Sequence, residues 1–335
     1  MVHPKFQPVV PDFFISHYLV DRPIDWPRHF QRLAPLDVEI GFGLGDFLVR
    51  AARENPARDY VGIECDWPRV KKTLRKIERI NRLSPAGSGL GNIRILQVDV
   101  QVALRRLFRE RSIERMFCLF PCPWPKKRHT KHRLFAREFL RLANSRLAPG
   151  GELKIVTDHR AYRQWVAEQN VKTGLNLTVR RIRPQYDTKY ERKWRQAGQR
   201  TFYEMVFTKR RHISLAVEED APLKRYYVQD FCGRSFRGND RRGETTVIFK
   251  EFIVDQPGQK AMQHLVVAEK GLTQHVWVYI AAGRRGWEIA VAPGQTVLPT
   301  AGVAKALNDV YGQIVKQSSG QRSQSRSKDK KLKKK

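Results

Sequence analysis

Between residues 36 and 160, short apolar runs alternate with longer amphipathic stretches. LDVEIGFG (36–43) predicts a strand that ends in a glycine turn, and GDFLVRAAREN (45–55) predicts a helix. DYVGIEC (59–65) reads as a second strand, followed by a basic amphipathic helix, WPRVKKTLRKIERINRL (67–83). NIRILQVDV (92–100) and MFCLFPC (116–122) read as the third and fourth strands, with the helix VALRRLFRE (102–110) between them. The stretch 134–151 reads as a helix closed by the pair Gly150-Gly151, since glycine commonly ends helices. ELKIVTD (152–158) is a fifth strand, HRAYRQWVAEQ a further helix, and a last strand pair brackets 176–207. Strand–helix alternation with short links predicts an α/β unit, 36–210, built on a parallel sheet covered on both faces.

The flanking regions differ. Residues 1–35 carry Pro4, Pro8, Pro11, Pro23 and Pro27 and read as an irregular leader that packs on the surface or stays partly mobile. From 212 to 317 a run of strands with turn signals precedes one helix, AGVAKALNDVYGQIVKQ, which predicts a small α+β domain. Within it Trp277, Tyr279, Arg284, Arg285 and Trp287 offer either an RNA-binding face or, for the aromatics, core positions, and strand aromatics favour the core. Residues 318–335 read as a disordered basic tail by composition.

Hydrophobic residues make up 41% of the 335, enough for a real core, yet no apolar run is long enough to span a bilayer. The N-terminus lacks a charged-then-apolar export pattern, so a cytoplasmic location is expected. Cys65, Cys118, Cys122 and Cys232 show neither metal-site nor disulfide-framework spacing, so reduced thiols and no bound metal are expected. The formal net charge is +31. The tail 321–335 holds eight Lys/Arg and one Asp, which leaves the body basic as well. A field of that sign attracts polyanions, with nucleic acid ahead of an anionic membrane.

The first strand carries Glu39 and runs into Gly41, Gly43 and Gly45. Glycines between a strand and a helix let backbone N–H groups approach a ligand. Glu64 ends the next strand, where a carboxylate can accept both hydroxyls of a ribose. The spacing does not match the diphosphate-binding GxGxxG pattern, which favours a nucleoside cofactor without a diphosphate. S-adenosylmethionine fits. Asp99, at the end of the third strand, could accept from an adenine amino group or sit beside it.

The fourth strand ends in Phe120-Pro121-Cys122-Pro123-Trp124-Pro125, and the basic run from Lys126 to Arg133 follows. The prolines hold the chain extended or turned, Trp124 offers a flat stacking surface, and the cations suit a phosphate backbone. Asp158 and Glu191 are acidic positions in a basic background. Either could accept the N1–H and N2–H donors of an unstacked guanine. Equally, Asp158 could cap the following helix, and Glu191 could pair with Arg192 or Arg195.

Taken in order, EIGFGLGDFL, VGIE, VDV, FPCPWPKKRHTKHRL, TDHRAY and TKYERKWRQAG resemble the bacterial tRNA (guanine-N7)-methyltransferase family over residues 36–210. The resemblance implies a Rossmann-like doubly wound sheet of the class I methyltransferase type. It also implies methylation of a variable-loop guanine of tRNA with S-adenosylmethionine. It places cofactor contacts on Glu39, Glu64 and Asp99, and substrate contacts on Lys126, Asp158, Thr188, Lys189, Tyr190 and Glu191. Tyr190 stands where the family usually has Phe. Cys122 stands where the family carries an active-site Asp between two prolines. A non-catalytic tRNA-binding protein on the same scaffold is therefore the alternative expectation.

Overall fold

The computed structural model describes residues 13–85, 88–269 and 271–332. The first part of the Pro-rich leader, 1–12, and the last lysines, 333–335, lie outside the described residues. The chain divides into two compact units, Met1–Glu218 and Glu219–Lys335.

The first unit is an eight-stranded sheet with the order β1-β4-β3-β2-β5-β6-β8-β7. Its centre is formed by β2 (Leu36–Ile40) and β3 (Asp59–Glu64), in which every residue is buried. Continuous burial along a strand is the signature of a parallel sheet with both faces covered. β4 (Ile93–Gln97) extends the sheet to one side, and β5 (Ile113–Leu119) and β6 (Leu147–Thr157) to the other, all in parallel register. The last pair, β7 (Leu175–Ile182) and β8 (Phe202–Lys209), closes that side in antiparallel register. Buried charge at the lower end of the sheet is paired: Asp37 accepts from Arg58 Nη2 at 2.7 Å and from Arg115 Nε at 3.0 Å.

Helix boundaries follow local chemistry. α3 (Trp67–Leu83) starts where the Asp66 side chain accepts from the Arg69 N–H at 2.9 Å, with Pro68 in the first turn. Its buried residues Val70, Leu74 and Ile77 recur at helical spacing, while its many Lys and Arg side chains occupy the other positions. α2 (Asp46–Glu54) follows the glycine turn directly. α4 (Val100–Arg106) is capped by Asp99, which accepts from the Gln101 N–H at 2.8 Å.

Three expectations are corrected. The leader from residue 14 onward is structured: β1 (Phe14–Ile15) pairs parallel with β4, and α1 (Trp26–Phe30) buries Trp26 and Phe30. Apolar side chains supply the reason, since Trp26 stacks on Phe108 at 5.0 Å. The helix expected over 134–151 is shorter, α5 (Arg137–Arg146), and the glycine pair belongs to the start of β6. There Gly150 has φ +74, and a Cβ on Gly151 would meet the Glu114 carbonyl oxygen at 2.9 Å. These glycines admit a close backbone crossing rather than a helix end. The third correction concerns Asp158, which does not cap α6 (Arg160–Glu168). His159 does, its Nδ1 accepting from the Tyr162 N–H at 3.1 Å.

The second unit is a five-stranded antiparallel sheet, order β10-β11-β12-β13-β9, with one helix. Its strands are β9 (Tyr226–Val228), β10 (Thr245–Val254), β11 (Lys260–Glu269), β12 (Leu272–Gly283) and β13 (Gly286–Val291). The helix α8 (Ala301–Leu332) packs Val303, Leu307, Val310 and Ile314 against Leu265, Val276, Val278 and Ile289. Trp287 joins this core, whereas Trp277 and Tyr279 lie outside it. Trp277 stands opposite His264 in register and stacks on it at 4.7 Å. The preference for a core position therefore fails for both residues, because strand alternation puts odd positions of β12 on the face away from α8. The backbone of α8 stays helical to Leu332, past the point where composition predicts disorder. No proline interrupts it, and a helix already nucleated on a packed face propagates easily.

Candidate active site

The strand order reverses between β2 and β5, so the crossovers leave to opposite sides and open a crevice at the carboxyl edge of the sheet. A cavity of about 610 Å3 occupies that crevice, a size suited to a nucleoside-sized ligand. The strand ends, the glycine turn and the segment after β5 all contribute to its wall.

Gly41 and Gly43 have φ +67 and +57, and a Cβ on either would point into open space. No side chain therefore stands between this turn and a ligand, while the N–H groups of Gly41 and Gly43 are held inside the turn, the first by the Ile63 carbonyl at 2.8 Å and the second by Glu64. Glu64 ties this turn to the end of β3. Its Oε2 accepts from the Gly43 N–H at 3.1 Å, and its Oε1 accepts from the N–H groups of Cys65 and Asp66, each at 3.0 Å. A carboxylate offers about four lone-pair directions, so acceptor capacity remains for a ligand hydroxyl. Asp99 caps α4 through Oδ1 and lines the same cavity.

Glu39 lies deeper, 3% exposed, and its Oε2 has no hydrogen-bond partner among the described residues. Burial pushes its carboxyl well above the usual carboxylate range. A raised native pKa means that the folded chain holds the proton more tightly than the unfolded chain does. Its contribution to stability is full below the ordinary carboxylate range and is lost as pH rises through the raised value. Glu39→Gln is therefore expected to melt like the parent near pH 4 and above it at pH 8. Melting curves across that interval check this, and coincident curves at every pH would refute it.

The far wall is formed by the segment after β5. Phe120 and Trp124 both have positive φ, +58 and +43, which is rare for bulky residues. Such strain persists only where neighbours enforce it. Here Arg133 donates to the carbonyls of Pro123 at 2.9 Å and Trp124 at 3.2 Å. Cys122 and Trp124 line the cavity, and Trp124 is edged by His129 with ring centroids 5.6 Å apart. Asp158, at the end of β6, lines it from the side.

α7 (Lys189–Gln196) supplies the roof. The Thr188 hydroxyl caps it, accepting from the Glu191 N–H at 3.1 Å. Thr188, Lys189 and Tyr190 all line the cavity. Glu191 does not. It is 1% exposed and turned inward, its Oε1 accepting from the N–H of Gln185 at 2.8 Å and of Tyr186 at 3.2 Å. Its Oε2 accepts from the Asp187 N–H. The expected direct contact of Glu191 with a base is corrected to a loop-holding role. Lys126 is likewise outside the lining, exposed just before the 3-10 turn Lys127–His132.

Asp46 was not singled out by sequence reasoning, yet it lines the cavity and holds the roof. It accepts from Lys76 Nζ and from Arg192 Nη2, each at 2.6 Å. That joins α2, α3 and α7 at one carboxylate. The only local sign was an acid in the first turn of a helix.

The fold and this crevice define a methyltransferase of the nucleoside-cofactor α/β class. A family model described as "Putative methyltransferase" matches residues 33–204. A tRNA (guanine-N(7)-)-methyltransferase of Chlorobium phaeobacteroides is 40% identical over 53% of this chain and 83% of its own length. Bacterial proteins of the same name match both units. The Thermus thermophilus protein is 32% identical over 86% of this chain and 93% of its own, and that of Aquifex aeolicus 29% identical over 89% and 97%. The chain belongs to the tRNA (guanine-N(7)-)-methyltransferase family. The non-catalytic alternative gains no support from these relatives.

Among the described residues, no cluster of three or more His, Cys, Asp or Glu is placed to hold a metal. None of their helices is long and apolar enough to cross a membrane.

Proposed function

We propose that the chain transfers a methyl group from S-adenosylmethionine to N7 of a variable-loop guanine in tRNA, in the cytoplasm. One observation carries this reading: a single cavity is lined by the glycine turn with Glu64 and Asp99 on one wall, and by Cys122, Trp124, Asp158 and Thr188 on the other. The residues suit the cofactor. Gly41 and Gly43 leave open space that a Cβ would enter, Glu64 keeps acceptor capacity, and the Glu39 Oε2 is a buried polar atom in the wall with no partner among the described residues. Bound there, S-adenosylmethionine supplies an electrophilic methyl.

The chain's own groups then have to orient the base. Asp158 accepts from the N1–H and N2–H edge of guanine, and Trp124 and Tyr190 offer faces to an unstacked ring. N7 carries a lone pair and no proton, so no general base is required. In-line positioning supplies most of the rate. For that reason Cys122, a thiol where the family resemblance implies a carboxylate, is compatible with turnover. Lys126, Lys189 and the basic 3-10 turn hold phosphates, and Thr188 and Glu191 set the height of the roof.

The test is incubation with methyl-labelled S-adenosylmethionine and tRNA, followed by nucleotide mapping. Label at guanine N7 is expected. Label at another atom, or none, overturns the proposal.

A further inference from the structure

Several arginines near the sheet of the first unit meet a carboxylate. Arg58 and Arg115 share Asp37, Arg32 meets Asp59, Arg180 meets Glu204, and Arg192 meets Asp46. Arg163 and Arg181 instead share one aromatic ring. The Arg163 guanidinium lies 4.9 Å from the centroid of the Tyr203 ring, and that of Arg181 lies 5.7 Å from the same centroid. Among the described residues neither has a carboxylate within ion-pair distance.

The topology puts this group next to the substrate wall. Tyr203 on β8 pairs with Arg181 of β7 on one side and with Thr157 of β6 on the other. Thr157 immediately precedes Asp158, and Arg163 sits in the first turn of α6, its N–H donating to the His159 carbonyl at 3.0 Å. A ring quadrupole draws cations to its face but does not neutralise them. Two full positive charges gathered on one ring, with no acid between them, form a seat for an anion. Guanidinium forks match phosphate oxygens in geometry as well as charge.

We infer that Arg163, Arg181 and Tyr203 form a clamp for a backbone phosphate of the RNA strand beside the nucleotide held at Asp158. This deepens the reading of the cleft given above and rests on it. Phosphate contacts set register and orientation, whereas base contacts set identity. The clamp accordingly acts on binding of the strand and not on methyl transfer itself.

The experiment is tRNA binding by the full chain, measured by fluorescence anisotropy over a series of salt concentrations. The parent is compared with R163Q/R181Q, Tyr203→Leu and Tyr203→Phe. The double variant is expected to bind tRNA about tenfold or more weakly and to show a salt slope shallower by about one to two. Its KM for tRNA should rise with kcat unchanged, because a contact held equally in ground and transition states affects only binding. Its affinity for S-adenosylmethionine should equal the parent's. Tyr203→Leu should show part of the loss and Tyr203→Phe none. An unchanged slope and affinity in the double variant overturns the clamp. Binding is read without turnover, so a parent that binds tRNA but fails to label guanine N7 sinks the proposed reaction alone. A parent that labels guanine N7, with variants that match its slope, sinks the clamp alone.

Discussion

Replacing Glu64 with Ala should weaken S-adenosylmethionine binding at least ~100-fold. The side chain is buried and accepts three backbone N–H groups, from Gly43, Cys65 and Asp66. Hydrogen bonds to a charged group contribute about 1.5–3 kcal/mol each, and a buried donor left unpaired costs a further share. Losing the equivalent of two such bonds is about 3 kcal/mol, or roughly two decades in affinity. The mechanism is specific: the glycine turn loses its tie to β3, and the ribose acceptor disappears with it. Glu64→Gln should fall between the two, because one amide oxygen can accept from part of the set while the amide nitrogen faces donors. Isothermal titration with the cofactor measures both variants, and the melting transition shows whether the fold persists. Affinity within threefold of the parent in a folded Glu64→Ala protein would remove the cofactor wall from this crevice.

The second large effect is expected at Glu191, with a different signature. Glu191→Ala should lower kcat/KM for tRNA about 100-fold while leaving S-adenosylmethionine affinity within a few fold. The carboxylate holds the N–H groups of Gln185, Tyr186 and Asp187, and Asp187 has φ +44. A non-glycine residue in that region costs about 1 kcal/mol or more and needs an external hold. Once the hold is gone, the three residues that follow, Thr188 to Tyr190, lose their fixed position over the cavity. Misplacing substrate-positioning groups by about 1 Å is enough for a hundredfold loss. Arg192 still ties the helix to Asp46, so the roof should loosen and not detach. Steady-state kinetics with tRNA, set beside calorimetry with the cofactor, separates this outcome from general unfolding. Equal losses on both sides would show that Glu191 supports the whole domain instead.

Much of this site was readable along the chain. Gly41, Gly43, Glu64 and Asp99 announce themselves because each sits at a strand end and each does a job that only its residue type does well. Glycine accepts positive φ, and a carboxylate at a strand end meets nearby N–H groups. Cys122 and Trp124 were legible for the same reason, flanked by prolines just after an apolar strand. Asp158 lines the cavity, and its alternative as a helix cap fails because His159, one residue later, takes the N–H of Tyr162. Glu191 stands out along the chain as an acid in a basic background, but the direction of its side chain does not. An acid two residues from the cavity-lining Lys189 can point either way, and the three N–H groups that capture it become convergent only when 185–187 turns back on the start of α7.

The sequence by itself determined the order and kind of elements, the strand ends where ligands gather, and the basic field that selects a polyanion. These are short-range properties, set by side-chain periodicity, backbone permissiveness and summed charge. The tertiary structure alone decided which distant groups share a carboxylate or a ring. Asp46 meets Arg192 across 146 positions of chain, and two arginines from α6 and β7 meet over a tyrosine on β8. Such pairings have no local signal, because they depend on how crossovers stack the strands and on which face each strand presents. For the same reason the core preference of Trp277 and Tyr279 fails, since only the pairing of β11 with β12 sets their side of the sheet.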